Sequence, residues 1–252
     1  MTDSISFFAP GDDAAMLAAY KNAQDNFKYF WRELSWEYRR IIPALDMAAV
    51  KVAFMQDVPG EDEPLVEHMW VNEIDFDGDT ITGVLINTPN ELTNIENGDE
   101  VTIPLTQISD WLIICEGKPY GGYTMQVMRA QMDEEEREEH DAAWGLEFPD
   151  NGAVYVVRNQ TEEPENLVEH PMSKNMEESF ITFLKEHPAE ITSADELGYT
   201  LLHRETIAGN QTSVAFLLQA GANKQATTNS GKTALDFARQ LNWEHLLPLL
   251  DN

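Results

Sequence analysis

The chain has 252 residues, 42% of them hydrophobic, with 16 Lys or Arg against 45 Asp or Glu and a formal net charge of −29. Repulsion on this scale disfavours nucleic acid and anionic membrane as partners and favours cationic protein surfaces. One cysteine, Cys115, excludes an intrachain disulfide and a cysteine-built zinc site, which fits a reducing compartment.

The acidity is unevenly distributed. Residues 1–150 carry 31 acids against 9 bases, residues 151–252 carry 14 against 7, and the 66 residues between Lys51 and Lys118 hold 15 acids and no base. Two compositions predict two domains, over 1–160 and 176–252, with 161–175 as a linker on the strength of Glu162-Glu163-Pro164-Glu165 and His170-Pro171. Met1 is followed by Thr-Asp-Ser-Ile-Ser rather than a basic leader, and no apolar run approaches the roughly 18 residues of a membrane span. The expectation is a soluble, cytoplasmic protein.

In chain order, Pro10-Gly11-Asp12-Asp13 reads as a turn and an acidic helix start. Met16, Leu17, Tyr20, Ala23, Phe27, Phe30, Trp31 and Leu34 then recur at the spacing of an amphipathic helix with an aromatic face. From Ala48 the period drops to two. Strands are predicted around Val50–Met55, Met69–Val71, Ile81–Ile86, Val101–Leu105, Trp111–Cys115 and Val154–Val157, with Asp77-Gly78, Asn97-Gly98 and Glu116-Gly117 as turns. The fold class expected is α+β, an N-terminal helix packed on a curved, mostly antiparallel sheet. Asp133 to Asp141 is an acidic run that reads either as a solvated helix or as a docking strip for a basic partner.

Two segments echo each other thirty-three residues apart, Asp195-Glu-Leu-Gly198-Tyr-Thr200-Leu-Leu202-His203 and Thr228-Asn-Ser-Gly231-Lys-Thr233-Ala-Leu235-Asp236. With Phe216-Leu-Leu-Gln-Ala-Gly221-Ala-Asn223 they resemble ankyrin repeats over about residues 176–252. Gly198 and Gly231 would allow a tight turn, Thr200 and Thr233 would cap the next helix, and Leu202 and Leu235 would point inward. Met176–His187 and Trp243–Leu250 are expected to close the ends of an all-α stack. Leu201 and Ala234 replace the family's proline, Asp236 its histidine, and Glu205 its small alanine. Glu205 therefore either reaches the stack's edge or marks a contact.

Glu67-His68-Met69-Trp70-Val71, Gly83-Val-Leu85-Ile-Asn87-Thr-Pro89, Gly98-Asp99-Glu-Val101, Ile108-Ser-Asp110-Trp111 and Gly121-Gly122-Tyr123-Thr124 occur in an order and spacing similar to the YegJ-like bacterial domain of unknown function, over roughly residues 12–132. The resemblance implies a bacterial source and a domain boundary, and supplies no activity.

No nucleophile stands beside a base, no histidine cluster has zinc spacing, and no glycine loop has phosphate-binding spacing, so no catalytic residue, metal or cofactor is assigned and the chain is read as a non-enzyme. Asp75, Asp77 and Asp79 alternate as calcium ligands can, but Ile86 stands where an EF-hand needs glutamate, which favours a hairpin tip. The nearest thing to a ligand site is Glu67, His68, Asp110 and Tyr123, framed by Trp70 and Trp111; the alternative is that these groups are structural. The function expected is protein binding, in the leading form an immunity protein that occludes a basic bacterial toxin, an association with toxin systems that comes from the YegJ-like resemblance. An adaptor unrelated to toxins, or a small-ligand or enzymatic domain, are the alternatives. The partner face is expected at Glu134, Glu135, Glu138 and Glu139 of the acidic run and at Glu196, Tyr199, Arg204 and Glu205 on the repeats.

Overall fold

A computed structural model describes residues 13–149 and 152–251. The predicted turn at Pro10-Gly11-Asp12 lies outside the described residues. Asp13 Oδ1 accepts the Ala15 N–H at 2.9 Å at the start of helix α1, which runs over Ala14–Glu37.

Among the described residues a six-stranded sheet is ordered β4-β3-β2-β1-β5-β6, with β1 over Met47–Gln56, β2 over Leu65–Phe76, β3 over Thr80–Leu85, β4 over Glu100–Pro104, β5 over Ile108–Cys115 and β6 over Lys118–Gly121. The fold is α+β and the sheet antiparallel, as the alternating apolar pattern implies. Register is fixed at the centre by Val50 opposite Val71 on one side and Trp111 on the other. A break in register between Lys51 and Val52 marks a bulge against β5. Every residue of β5 is buried, the signature of a strand covered on both faces.

The predicted turns at Glu116-Gly117 and Asn97-Gly98 form, whereas one predicted strand does not. Glu116-Gly117, the least typical of the three turns, joins β5 to β6 with both residues at positive φ (53° and 72°), as a two-residue hairpin requires. Asn97-Gly98 instead closes a loop before β4, where the Gly98 N–H donates to the Leu85 carbonyl at 2.8 Å. Val154–Val157 is not a strand; the Gly121 N–H donates to its Tyr155 carbonyl at 2.8 Å. Gly121 itself has φ +78°, and a Cβ there would collide with the carbonyl and ring of Trp111. Only glycine fits.

The chain divides by contact into two compact units. The first holds the described residues up to Asn26, Asp46–Ile74 and Thr82–Tyr155, and the second holds Phe27–Leu45, Asp75–Ile81 and Val156 onward. The units interleave in sequence instead of following one another as 1–160 and 176–252. In the first unit, Leu112, Ile114 and Met125 form a buried cluster with Met47, Trp70, Met128, Leu146 and Phe148 packed against it. Trp111 Nε1 donates to the Ala23 carbonyl of α1 at 3.0 Å, and Gln24 donates to the Thr106 and Ile108 carbonyls at 3.0 and 2.8 Å. Helix α2 (Tyr123–Gln131) follows β6, and α3 (Glu134–Trp144) starts at a capping box between Asp133 and Glu136.

The second unit is mostly helical, with α4 over Pro171–Asn175, α5 over Glu177–Glu186, α6 over Leu201–Ile207, α7 over Gln211–Gln219, α8 over Ala234–Gln240, a 3-10 turn over Glu244–Leu246 and α9 over Leu247–Leu250. The closing segment is therefore a 3-10 turn and one helical turn rather than a single helix. Thr200 and Thr233 both build capping boxes, with His203 and Asp236 as their partners, and Gly198 and Gly231 share φ +84°. Asp236, which departs from the ankyrin pattern, thus does the capping that His203 does thirty-three residues earlier. Residues 161–175, expected as a linker, bury Asn166, Glu169, His170 and Ser173. Their polarity reads as linker composition because polar groups there make internal bonds. Glu169, for instance, accepts the Ser173 hydroxyl at 2.7 Å and the Thr212 N–H at the start of α7 at 2.6 Å.

Candidate functional site

The four residues expected to form a ligand site do different work. Glu67 is buried in β2, and its carboxylate accepts backbone N–H groups from Asn90 (2.9 Å), Glu91 (2.6 Å) and Leu92 (2.8 Å). Burial would raise its pKa, but these donors outweigh it and hold the carboxyl below its ordinary value. Asp110 is 0% exposed on β5. One oxygen accepts the Trp111 and Tyr123 N–H groups at 2.8 and 2.9 Å, the other the Thr124 N–H and hydroxyl at 2.8 and 2.6 Å. Helix α2 begins after Gly122, which has no side chain to cap it, so Asp110 supplies the cap from the neighbouring strand. Tyr123 packs edge-on against Trp111 at 5.9 Å. Glu67 alternates with His68 along β2, so the two side chains leave opposite faces of the strand.

His68 is the member that remains accessible. Its ring stacks on Tyr20 of α1 at 5.3 Å and 21°. Two residues absent from the sequence-based set join it. Lys51 lies opposite Trp70 and Asp110 in register, with Nζ 5.7 Å from the Trp70 ring. Burial lowers the Lys51 pKa and Asp110 opposes this, while burial raises Asp110 against Thr124 and Lys51. Burial and then the Lys51 charge push His68 down to about 4. The detectable signal was a lone lysine in the apolar run Ala48-Ala49-Val50-Lys51-Val52-Ala53-Phe54.

Because His68 keeps a face open to solvent that moderates the effect, it should titrate below its ordinary 6.5 and no lower than about 4 in the folded chain. Between those values the unfolded chain binds more protons, so stability falls as pH drops through that window. Proton NMR of the imidazole reads the midpoint, and His68→Gln should flatten that part of the stability profile. A midpoint near 6.5 would mean that neither burial nor Lys51 acts on the ring.

The acidic run forms the exposed helix α3, with Glu134, Glu135, Glu138 and Glu139 all open to solvent. Of the C-terminal residues expected on the partner face, Glu196 and Arg204 are exposed, and Arg204 is paired with Asp195. Tyr199 (7% exposed) and Glu205 (3%) are buried and do not belong to an open partner face. Within the second unit, Glu205 accepts from Arg39 at 2.7 Å and from Asn210 Nδ2 at 2.8 Å. Asn210 Oδ1 in turn accepts the Trp36 indole N–H at 3.0 Å, and the Arg39 guanidinium lies 4.5 Å over the Trp36 ring. The acid in place of alanine is one corner of a closed polar network. Asp75, Asp77 and Asp79 lie at the β2–β3 hairpin tip. Asp77 accepts the Asp79 and Thr80 N–H groups at 2.8 and 2.7 Å, and Asp79 pairs with Lys232.

A family described as uncharacterized protein conserved in bacteria (DUF2314) matches residues 13–148. A Neisseria meningitidis serogroup B protein, provisionally named an ankyrin repeat protein, is 51% identical over 251 residues, covering 100% of this chain and 98% of that one. The uncharacterized protein YegJ of Escherichia coli K12 is 34% identical over 86 residues, 34% of this chain and 56% of that protein. No solved structure matches.

Proposed function

We propose that this protein, which belongs to the DUF2314 family of uncharacterized bacterial proteins, is a non-enzymatic, cytoplasmic protein-binding module whose C-terminal helices are ankyrin repeats. The observation that carries the reading is the recurrence, thirty-three residues apart, of the same turn and cap, with Gly198 and Gly231 at one φ and Thr200 and Thr233 in matching capping boxes. Successive turns are tied to each other, the Asn229 N–H and Nδ2 donating to the Leu197 and Glu196 carbonyls at 2.9 Å each. Their tips stay open, with Glu196, Leu197, Asn229 and Ser230 exposed. Repeated units of this kind present extended surfaces to other proteins, and the name of the Neisseria relative agrees.

A net charge of −29 selects a basic partner. The finer reading is an immunity protein that occludes a basic bacterial toxin, because electrostatic steering speeds capture by roughly 10-fold or more at low salt, and an inhibitor must act before its target does. Exposed Glu134, Glu135, Glu138 and Glu139 on α3 are the strongest steering group.

Purification of the tagged chain from its native host should return one stoichiometric basic protein whose expression alone arrests growth and whose co-expression with this chain does not. Reversing the four glutamates to lysine should slow association about tenfold at low salt. A partner harmless by itself would leave an adaptor and remove the toxin. An association rate indifferent to salt and to charge reversal would remove α3 from the interface.

A further inference from the structure

Arg32, near the end of α1, is the anomaly of the second unit. Its side chain is 1% exposed, yet among the described residues no carboxylate stands within ion-pairing distance of it. It donates to the Leu167 carbonyl at 3.4 Å and to the Asn166 carbonyl, and it lies 5.1 and 5.4 Å from the rings of Tyr29 and Trp243. Those carbonyls occupy two of the five N–H groups of a guanidinium. Burial pushes its pKa down to about 10 against the pull of Tyr29, Glu33 and Glu169, which still leaves it charged at neutral pH. Buried charges are ordinarily paired, because an uncompensated one costs several kcal/mol.

The same side chain lines a cavity of about 280 Å³, together with Arg40, Arg158, Asn166 and His170. All of these residues belong to the second unit. Three arginines gather around one cavity with Glu33 and Glu163 in a chain of 16 bases and 45 acids, and of these Arg40 is paired with Glu37 at 3.0 Å as well as with Glu33. Both acids are engaged. Glu33 bonds His170 Nε2 at 2.8 Å and Arg40 at 3.4 Å, and Glu163 accepts from Asn166 Nδ2 at 3.1 Å. The wall bearing Arg158 is fixed, since Asn166 Nδ2 also donates to the Arg158 carbonyl at 3.1 Å, and Asn159 beside it holds φ +52°. His170 is held in turn by stacking on Trp36 at 5.8 Å.

We infer that this cavity binds a compact oxyanion, a phosphate or carboxylate group on a small ligand, seated on Arg32 with Arg40 and Arg158 at its sides. A guanidinium presents donors in the planar fork that such groups accept. The volume sits at the low end of ligand pockets, roughly 300 Å³ upward, so the ligand is a few heavy atoms across and not a nucleotide. This site is independent of the protein-binding reading, since none of its residues lies on α3 or the repeat tips.

The test titrates the full chain with inorganic phosphate and, separately, with succinate, each against chloride at matched ionic strength. Calorimetry and the Arg32 Nε–H resonance are the readouts. Saturable binding of one equivalent of either probe is expected, with Arg158→Gln weakening it about 10- to 100-fold, the worth of one charged hydrogen bond. Arg40→Gln serves the same purpose should the first variant melt early in chloride. Saturation by phosphate alone, or by succinate alone, assigns the group. Failure of both to saturate by about 50 mM, weaker than any useful metabolite affinity, overturns the site, as does wild-type affinity in folded Arg158→Gln.

Discussion

Asp110→Ala should lower the free energy of unfolding by about 4 kcal/mol, a large share of the 5–15 kcal/mol typical of a domain. The substitution strands three backbone N–H groups and the Thr124 hydroxyl where water cannot reach, because Asp110 is 0% exposed. Each buried donor left unmade costs about 1–3 kcal/mol, less whatever the start of α2 recovers by fraying. It also leaves Lys51 without the acid that opposes its desolvation. Asp110→Asn should cost about half as much, since one amide oxygen still serves two donors while the NH₂ group faces the other two. Thr124→Val, which removes one of the four bonds, should cost about 1 kcal/mol. Burial raises the Asp110 pKa, so between its unfolded and folded values the native state binds more protons and the contribution of this residue declines as pH rises. Urea unfolding followed by tryptophan fluorescence reads all three variants. A cost below about 1 kcal/mol for Asp110→Ala would show that water or another side chain replaces the carboxylate.

The same residue shows why the fold was more legible than the site. Strands β1, β2, β3 and β5 announce themselves through β-branched and aromatic alternation, and Asp77-Gly78 marks its hairpin because both residues tolerate the required φ. Strand β6 escapes because Lys118-Pro119-Tyr120-Gly121 is short and carries a proline, while Val154–Val157 has strand composition but meets only the end of β6, where Tyr155 accepts the Gly121 N–H. Asp110 could be seen to suit a turn, but the N–H groups it captures belong to residues 13 and 14 positions later. Tyr20 reaches His68 from a helix forty-eight residues earlier. Arg32 falls among the polar positions of the amphipathic helix, and nothing local says that Asn166 and Leu167 offer it carbonyls in place of carboxylates. Local pattern encodes backbone path, whereas a polar site is assembled by distant pairs that leave no periodic trace.

Glu205 is the sharpest case, because the repeat pattern and the structure predict opposite signs. Alanine is the residue the ankyrin pattern places there, so by that pattern Glu205→Ala should relieve a strained position and stabilise the chain. In the structure the carboxylate is 3% exposed and satisfies both Arg39 and the Asn210 amide, itself 0% exposed. Removing it leaves the Asn210 Nδ2 group without its acceptor and Arg39 without its acid, and opens a void beneath them. Breaking a buried pair typically costs about 3–5 kcal/mol, but Arg39 is 37% exposed and can recover water, so a loss of about 2–3 kcal/mol is expected. Arg39→Ala should cost less, about 1 kcal/mol, since Asn210 still bonds the acid. The double variant should cost less than the sum of the two, the mark of a shared interaction. Asn210→Ala should match Glu205→Ala, because it breaks the bonds to both Glu205 and Trp36. Chemical unfolding of the four variants decides between the readings. A Glu205→Ala chain as stable as its parent would mean that the alanine of the ankyrin pattern is the better residue and that the Arg39 network holds nothing in place.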